Sequence, residues 1–162
     1  MTPSLPTPGL EHVLDVAVEL GELIDHGHTR AGHRRVIPIV GGRIVGRGPF
    51  ASLLGTAAID CGGADWQIVR PDGSIEIDAR YTARAPDGSL VYLRTSGIRA
   101  GTPHVMAALG RGETVSPAEY YFRILVTFET SSVALRELEH GLFIASGARD
   151  AAEVKHRVYR VT

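Results

Sequence analysis

The chain has 162 residues, with 17 basic side chains, 18 acidic ones and a formal net charge of −1. That length suits one domain built on one core, and the balanced charge excludes a dedicated nucleic-acid binder, which needs a basic excess to neutralise phosphates. A single cysteine, Cys61, excludes an internal disulfide and a cysteine-based zinc site, and no apolar run is long enough to cross a bilayer, so no membrane partner is expected.

In chain order, residues 1–9 read as a Pro-rich, disordered lead-in. They lack the basic start and apolar stretch of a secretory signal, so residues 10–162 form the single domain and the cytoplasm is the expected location. His12–Leu20 fits a strand and, almost as well, a helical stripe through Leu14, Val18 and Leu20. The stretch Asp25–His33 reads as a Gly-containing loop; its His26, His28 and His33 match no zinc signature, and no metal or other cofactor is assigned. Strands follow at Arg34–Val40 and Thr56–Cys61. Two Pro-Asp-Gly turns, at 71–73 and 86–88, then separate the runs Ala64–Arg70, Ser74–Ala85 and Ser89–Ile98. In each turn Pro pre-sets one dihedral and Gly accepts a positive φ. The middle run alternates Ile75, Ile77, Ala79, Tyr81 with Glu76, Asp78, Arg80, Thr82, which is the period of a half-buried strand. A three-stranded antiparallel meander follows from that pattern.

Pro103–Gly110 begins with Pro and stops at Gly, predicting a short helix. Tyr120–Thr130, Gly141–Ser146 and Val154–Val161 are further strands, and Ser132–His140 reads as a helix or a loop. Nine or ten strands without long helices to cover them make an all-β fold, a barrel or a sandwich.

Alternation gathers polar side chains into rows: Asp78 with Arg80; Tyr92, Arg94 and Ser96; Tyr121, Arg123, Thr127 and Glu129. Such rows face water in an ordinary sheet. Lining a barrel instead, they would pair Asp with Arg in a polar pocket with aromatic walls. In that setting Asp78, and after it Asp65, is the expected general acid or base, with Arg side chains holding an anionic group. A Gly-x-Ser-x-Gly elbow, a dinucleotide fingerprint and a Walker loop are all missing, and the lone Lys155 gives Schiff-base chemistry little basis. Sixteen of the cations are arginine, a bias that a GC-rich genome accounts for at most positions.

Five ordered motifs extend the reading: Arg34-Arg35-Val36-Ile37-Pro38-Ile39 before a Gly-Gly, Gly62-Gly63-Ala64-Asp65-Trp66, Asp78-Ala79-Arg80-Tyr81, Tyr121-Phe122-Arg123 and Phe128-Glu129-Thr130. From about Leu10 to the C-terminus the chain resembles a mostly bacterial family, domain of unknown function 3237, also called uncharacterised protein family 0311. The resemblance implies a closed or nearly closed antiparallel β-barrel of 8–10 strands with one or two short helices. It also marks Asp65, Trp66, Asp78, Arg80, Tyr121 and Arg123 as signature positions expected to line the cavity. One departure stands out, since Glu137-Leu138-Glu139-His140 replaces the family's Trp-Leu-Asn pattern. Glu139 and His140 therefore join Trp66, Arg80, Tyr92, Arg94, Tyr121 and Arg123 as expected substrate-binding residues, beside the catalytic pair Asp78 and Asp65.

Three functions remain open at this stage. The first is an enzyme without a cofactor, of isomerase, cyclase or lyase type, acting on a small organic metabolite. The second is a non-catalytic ligand-binding barrel, and the third a homodimer or higher homo-oligomer that pairs through its outer sheet faces.

Overall fold

The computed structural model describes residues 4–162; of the expected lead-in, residues 1–3 lie outside the described residues. Ten strands form one antiparallel sheet: β1 Leu10–Leu20, β2 Ile24–Thr29, β3 Gly32–Gly46, β4 Thr56–Ile59, β5 Gly63–Val69, β6 Ile75–Arg84, β7 Leu90–Ala100, β8 Tyr121–Thr130, β9 Leu142–Arg149 and β10 Glu153–Val161. The helices are short, α1 Ala51–Leu54 and α2 Pro103–Gly110, with single 3-10 turns at Gly48–Phe50, Pro117–Glu119 and Val133–Glu139.

The sheet closes into an eight-strand barrel because the long β3 serves two neighbours on each edge. Its first half pairs with β2 and β5, and its second half with β1 and β4. Thus β1 and β2 share one position in the wall, and β4 and β5 share another. Pairing of β1 with β10, from Leu10 against Val161 to Glu19 against Glu153, completes the ring. Closure removes the free edges that an open sheet would expose to other chains, except along β2, which pairs with β3 alone.

Strand β1 resolves the helix-or-strand ambiguity of its sequence. A register irregularity between His12 and Leu14 lets the adjacent Val13 and Leu14 both be buried, which blurs the two-residue period. The histidine stretch read as a loop is instead the β2–β3 hairpin, in which His28 faces His33 across the ladder and His33 Nε2 meets Asp25 Oδ1 at 2.8 Å. Its polar residues hid a strand that packs little apolar surface. Among the described residues no three metal-capable side chains converge, and no helix is long and apolar enough to cross a membrane.

The two ends of the barrel differ. At one end the β3–β4 and β8–β9 connections fold over the interior and bury Phe50, Leu54, Leu135 and Leu138. The spacing of Leu135 and Leu138 suits the three-residue period of the 3-10 turn between Val133 and Glu139. At the other end lie the β5–β6 and β9–β10 turns and α2, whose N-terminus is capped by Thr102 Oγ1 accepting from the Val105 amide. The interior at this end is polar.

Candidate functional site

Parity along each strand decides which side chains enter the barrel. On β6 the inward set is Ile75, Ile77, Ala79, Tyr81 and Ala83. Asp65 stands opposite Ala79 and so points inward with it, and two residues on Gln67 does the same, only 2% exposed. On β7 the buried parity of Val91, Leu93 and Thr95 runs on to Arg99, 5% exposed. Strands β9 and β10 add Arg149 and His156 on the parity of Phe143 and Val158. Close approach is enforced where Gly147 meets Phe122: a Cβ there would stand 2.6 Å from the ring.

These side chains form a connected cluster. Arg35 Nη2 donates to Gln67 Oε1 at 3.0 Å, and Gln67 Nε2 donates to Asp65 Oδ2 at 2.7 Å. Asp65 Oδ1 accepts from the Asp78 amide at 3.1 Å, in the stretch where the β5–β6 ladder lapses between Asp65/Ala79 and Ile68/Glu76. Arg99 stacks its guanidinium over Phe122 at 5.5 Å, and His156 meets the same ring edge-on at 5.6 Å. Asp65, Gln67, Arg99, Phe122 and His156, with Val18, Ile37 and Ile39, surround a cavity of about 30 Å³, room for a water-sized occupant, and Arg35 stands behind Gln67 outside its lining. Partly buried Leu20, Arg149 and Val154 line it as well.

Burial dominates the electrostatics. It lifts the Asp65 carboxyl above the ordinary aspartate range, against the opposing pull of its bonds from Gln67 and the Asp78 amide and of the Arg99 charge. Arg99 is pushed down to about 10, first by burial and then by repulsion from Arg149. Arg35 and Arg149 are lowered by burial too. Burial alone pushes His156 down to about 4, so its imidazole is neutral at pH 7, and it pushes the Tyr81 phenol up. Among the described residues the inner wall at this end therefore holds three guanidiniums and the Asp65 carboxyl, a carboxyl suited to exchanging protons.

Of the ten residues expected at the site, the structure brings only Asp65 to the inner wall. The expectation that Asp78, Arg80, Trp66, Tyr92, Arg94, Tyr121 and Arg123 line the cavity does not hold, because each occupies the outward parity of its strand. Asp78 bridges Arg80 and Arg94 on the outer surface, at 3.1 and 3.3 Å. Arg80 lies over Trp66 at 5.6 Å, and these two border a surface groove with Tyr92 and the Cys61–Gly63 turn. Arg123 lies over Tyr121 at 5.3 Å on the outer face of β8. Glu139 and His140 sit at the apolar end, where Glu139 Oε1 accepts from the Thr130 amide and His140 is exposed beside Glu137. Gln67, Arg99, Arg149 and His156 were missed. Arg99, Arg149 and His156 carry a signal as polar residues on an apolar parity, whereas Gln67 shares its parity with Asp65 and carries none.

Comparison with known proteins agrees with this fold. A family model described as "Protein of unknown function (DUF3237)" matches residues 8–161. A UPF0311 protein of Bradyrhizobium diazoefficiens is 37% identical over 161 residues, 99% of both chains. The crystal structure of a conserved protein of unknown function from Rhodopseudomonas palustris superposes with a TM-score of 0.89 at 34% identity, covering 98% of this chain and 100% of that one. An enzyme from Penicillium herquei shares the fold at a TM-score of 0.69, with 18% identity and 99% of each chain covered. The motifs around Asp65, Asp78 and Arg123 thus lie in a chain that belongs to the DUF3237 family of β-barrel proteins.

Proposed function

We propose that the protein binds a small organic metabolite at the polar end of the barrel and moves a proton on it, with Asp65 as the general acid or base. The observation that carries this reading is the Asp65 carboxyl itself: the lone acid on the inner wall at that end, oriented by Gln67 and the Asp78 amide, with its proton affinity raised by burial. A carboxyl fixed in this way takes a proton from one atom of the ligand and returns one to another, which is the need of isomerisation or cyclisation and calls for no cofactor. An organic ligand larger than water reaches it by displacing Leu20 and Val154 at the rim.

Incubation with a bacterial metabolite extract, followed by mass spectrometry, tests the reading. The wild-type protein should convert at least one metabolite, Asp65→Asn should lose about 100-fold or more of that rate, and Asp78→Asn should keep it within about threefold. A metabolite that co-purifies unchanged would make the protein a binding barrel, and full turnover by Asp65→Asn would remove Asp65 from the chemistry.

A second reading concerns assembly. Leu125 and Leu142 are 59 and 75% exposed, and with Ile144, which pairs with Leu125, they form a short apolar stripe across the outer face of β8 and β9. Such a stripe favours pairing with a second copy of the chain, and a monomer in light scattering at about 100 µM, a concentration that populates a dimer of ordinary affinity, would remove it.

A further inference from the structure

We propose that the ligand at the polar end is an organic carboxylate or enolate, and that its oxyanion docks on Arg99, flanked by Arg35, facing Asp65 across the cavity. The inference deepens the functional reading above by naming the substrate class, and it rests on that reading only for the location of the site.

Its first support is an unbalanced charge inside the wall. Arg35, Arg99 and Arg149 converge on one end with Asp65 as their common acid; Asp25 also offsets Arg35 and Asp150 also offsets Arg149, which leaves Arg99 with Asp65 alone, and the buried neighbours His156 and Tyr81 supply no negative charge. Among the described residues no carboxylate stands within ion-pair distance of these three guanidiniums. A guanidinium taken out of water without a partner costs stability, and an anionic ligand is the partner that recovers it.

The second support is geometric. Among the described residues, Arg99 Nε and Arg35 Nε are buried donors with no acceptor, and so is the ring nitrogen His156 Nε2 without a partner. Arg99 lines the cavity, and its face is occupied by Phe122, which leaves the N–H edge for a ligand. Two N–H groups along a guanidinium edge match the two oxygens of a carboxylate, or an enolate oxygen with a neighbouring carbonyl. The remaining lining, Val18, Ile37, Ile39 and Phe122, is apolar, and a hydrocarbon body enters it only as Leu20 and Val154 give way, since the closed cavity has room for a water-sized occupant. A ligand held at Arg99 then brings its adjacent carbon or oxygen towards the Asp65 carboxyl. Arg99 stabilises negative charge that develops on the oxyanion during proton transfer.

The test uses the full-length protein and simple probes: formate and benzoate as carboxylates, benzamide as the neutral counterpart of benzoate, and inorganic phosphate, all at matched ionic strength. Thermal shift measures binding, and the Arg Nε–Hε resonances in two-dimensional NMR report the contact directly. Both carboxylates should raise the melting temperature saturably and move the Arg99 resonance, whereas benzamide should do neither. Arg99→Met should weaken benzoate by about tenfold or more, a loss matching one or two charge-assisted hydrogen bonds. Arg99→Lys should give an intermediate loss, and Arg84→Gln on the outer wall should change nothing.

Equal binding of benzamide, a still Arg99 resonance, or undiminished benzoate binding by folded Arg99→Met would overturn the proposal. Phosphate binding tighter than benzoate would overturn the carboxylate assignment. The NMR readout on wild-type protein decides the matter even where Arg99→Met fails to fold. A neutral metabolite turned over through Asp65 without any carboxylate binding would sink this inference alone. Carboxylate binding through Arg99 without turnover of any metabolite would sink the catalytic reading and leave the anion site standing.

Discussion

Asp65 and Asp78 are held together by one hydrogen bond, from the amide of the second to the carboxylate of the first, yet their side chains leave the barrel wall in opposite directions. Asp65 enters the interior, where Gln67 and the Asp78 amide bond to it and burial raises its proton affinity. Asp78 stays outside, where it pairs with Arg80 and Arg94 among partly exposed side chains. Two aspartates of similar sequence context thus meet different physics. Burial perturbs the proton affinity of the inner one and makes its hydrogen bonds costly to lose. The outer pairings are solvated, salt-screened ion pairs that add little to stability. A carboxylate flanked by arginines on a strand is therefore no evidence of a site until its side of the wall is known.

The largest effect should come from truncating the inner carboxylate. Asp65→Ala leaves the buried Gln67 amide and the Asp78 N–H without their carboxylate acceptor and removes the one carboxyl near Arg99. Urea unfolding should show a loss of about 4 kcal/mol, and a loss under about 1 kcal/mol would break the contrast. The next effect is a pH dependence. His156 has its folded value near 4 against an ordinary 6.5, so its contribution is complete above pH 6.5 and drains away as pH falls towards 4, about 3 kcal/mol in all. Asp65 works in the opposite sense: its raised value makes stability fall as pH climbs from 3.8 through the folded value. The two partly cancel in the wild type. Asp65→Asn should accordingly steepen the acid limb of a stability–pH curve, and His156→Leu should flatten or invert it. The smallest effect belongs to the outer carboxylate: Asp78→Ala should cost about 0.5–1 kcal/mol, and less in 1 M NaCl.

The strand pattern was legible because the Pro-Asp-Gly turns and two-residue alternation are local signals that closure of the barrel does not override. The short helix was equally plain, since Pro103 and Gly110 mark its ends. The β2–β3 hairpin was not, because its residues bury little and its partner lies on the far side of a polar turn. Side of the wall was the harder problem. Alternation groups residues into two faces without saying which polar groups are enclosed, and a row such as Asp78 with Arg80 draws attention by its chemistry. The informative residues break the rule: Arg99 in line with Val91 and Leu93, Arg149 in line with Phe143 and Ala145, His156 in line with Val158; Asp65 and Gln67 form a polar row that alternation alone assigns to the outside. A charge on the apolar face has to be accounted for by the interior, whereas a charge on the polar face is accounted for by water.

Closure through β1 and β10 also bears on how the molecule comes to exist. The backbone of Gly9 exchanges hydrogen bonds with Thr162, at 2.9 and 3.0 Å, so the seam joins segments from opposite ends of the polypeptide. As the chain is made, β1 has β3 to pair against, and its other edge has no partner until β10 has been added. Folding governed by so distant an encounter proceeds on the millisecond-to-second scale rather than in microseconds. The interval in which β1 is exposed is the one in which a neighbouring nascent chain can take the place of β10.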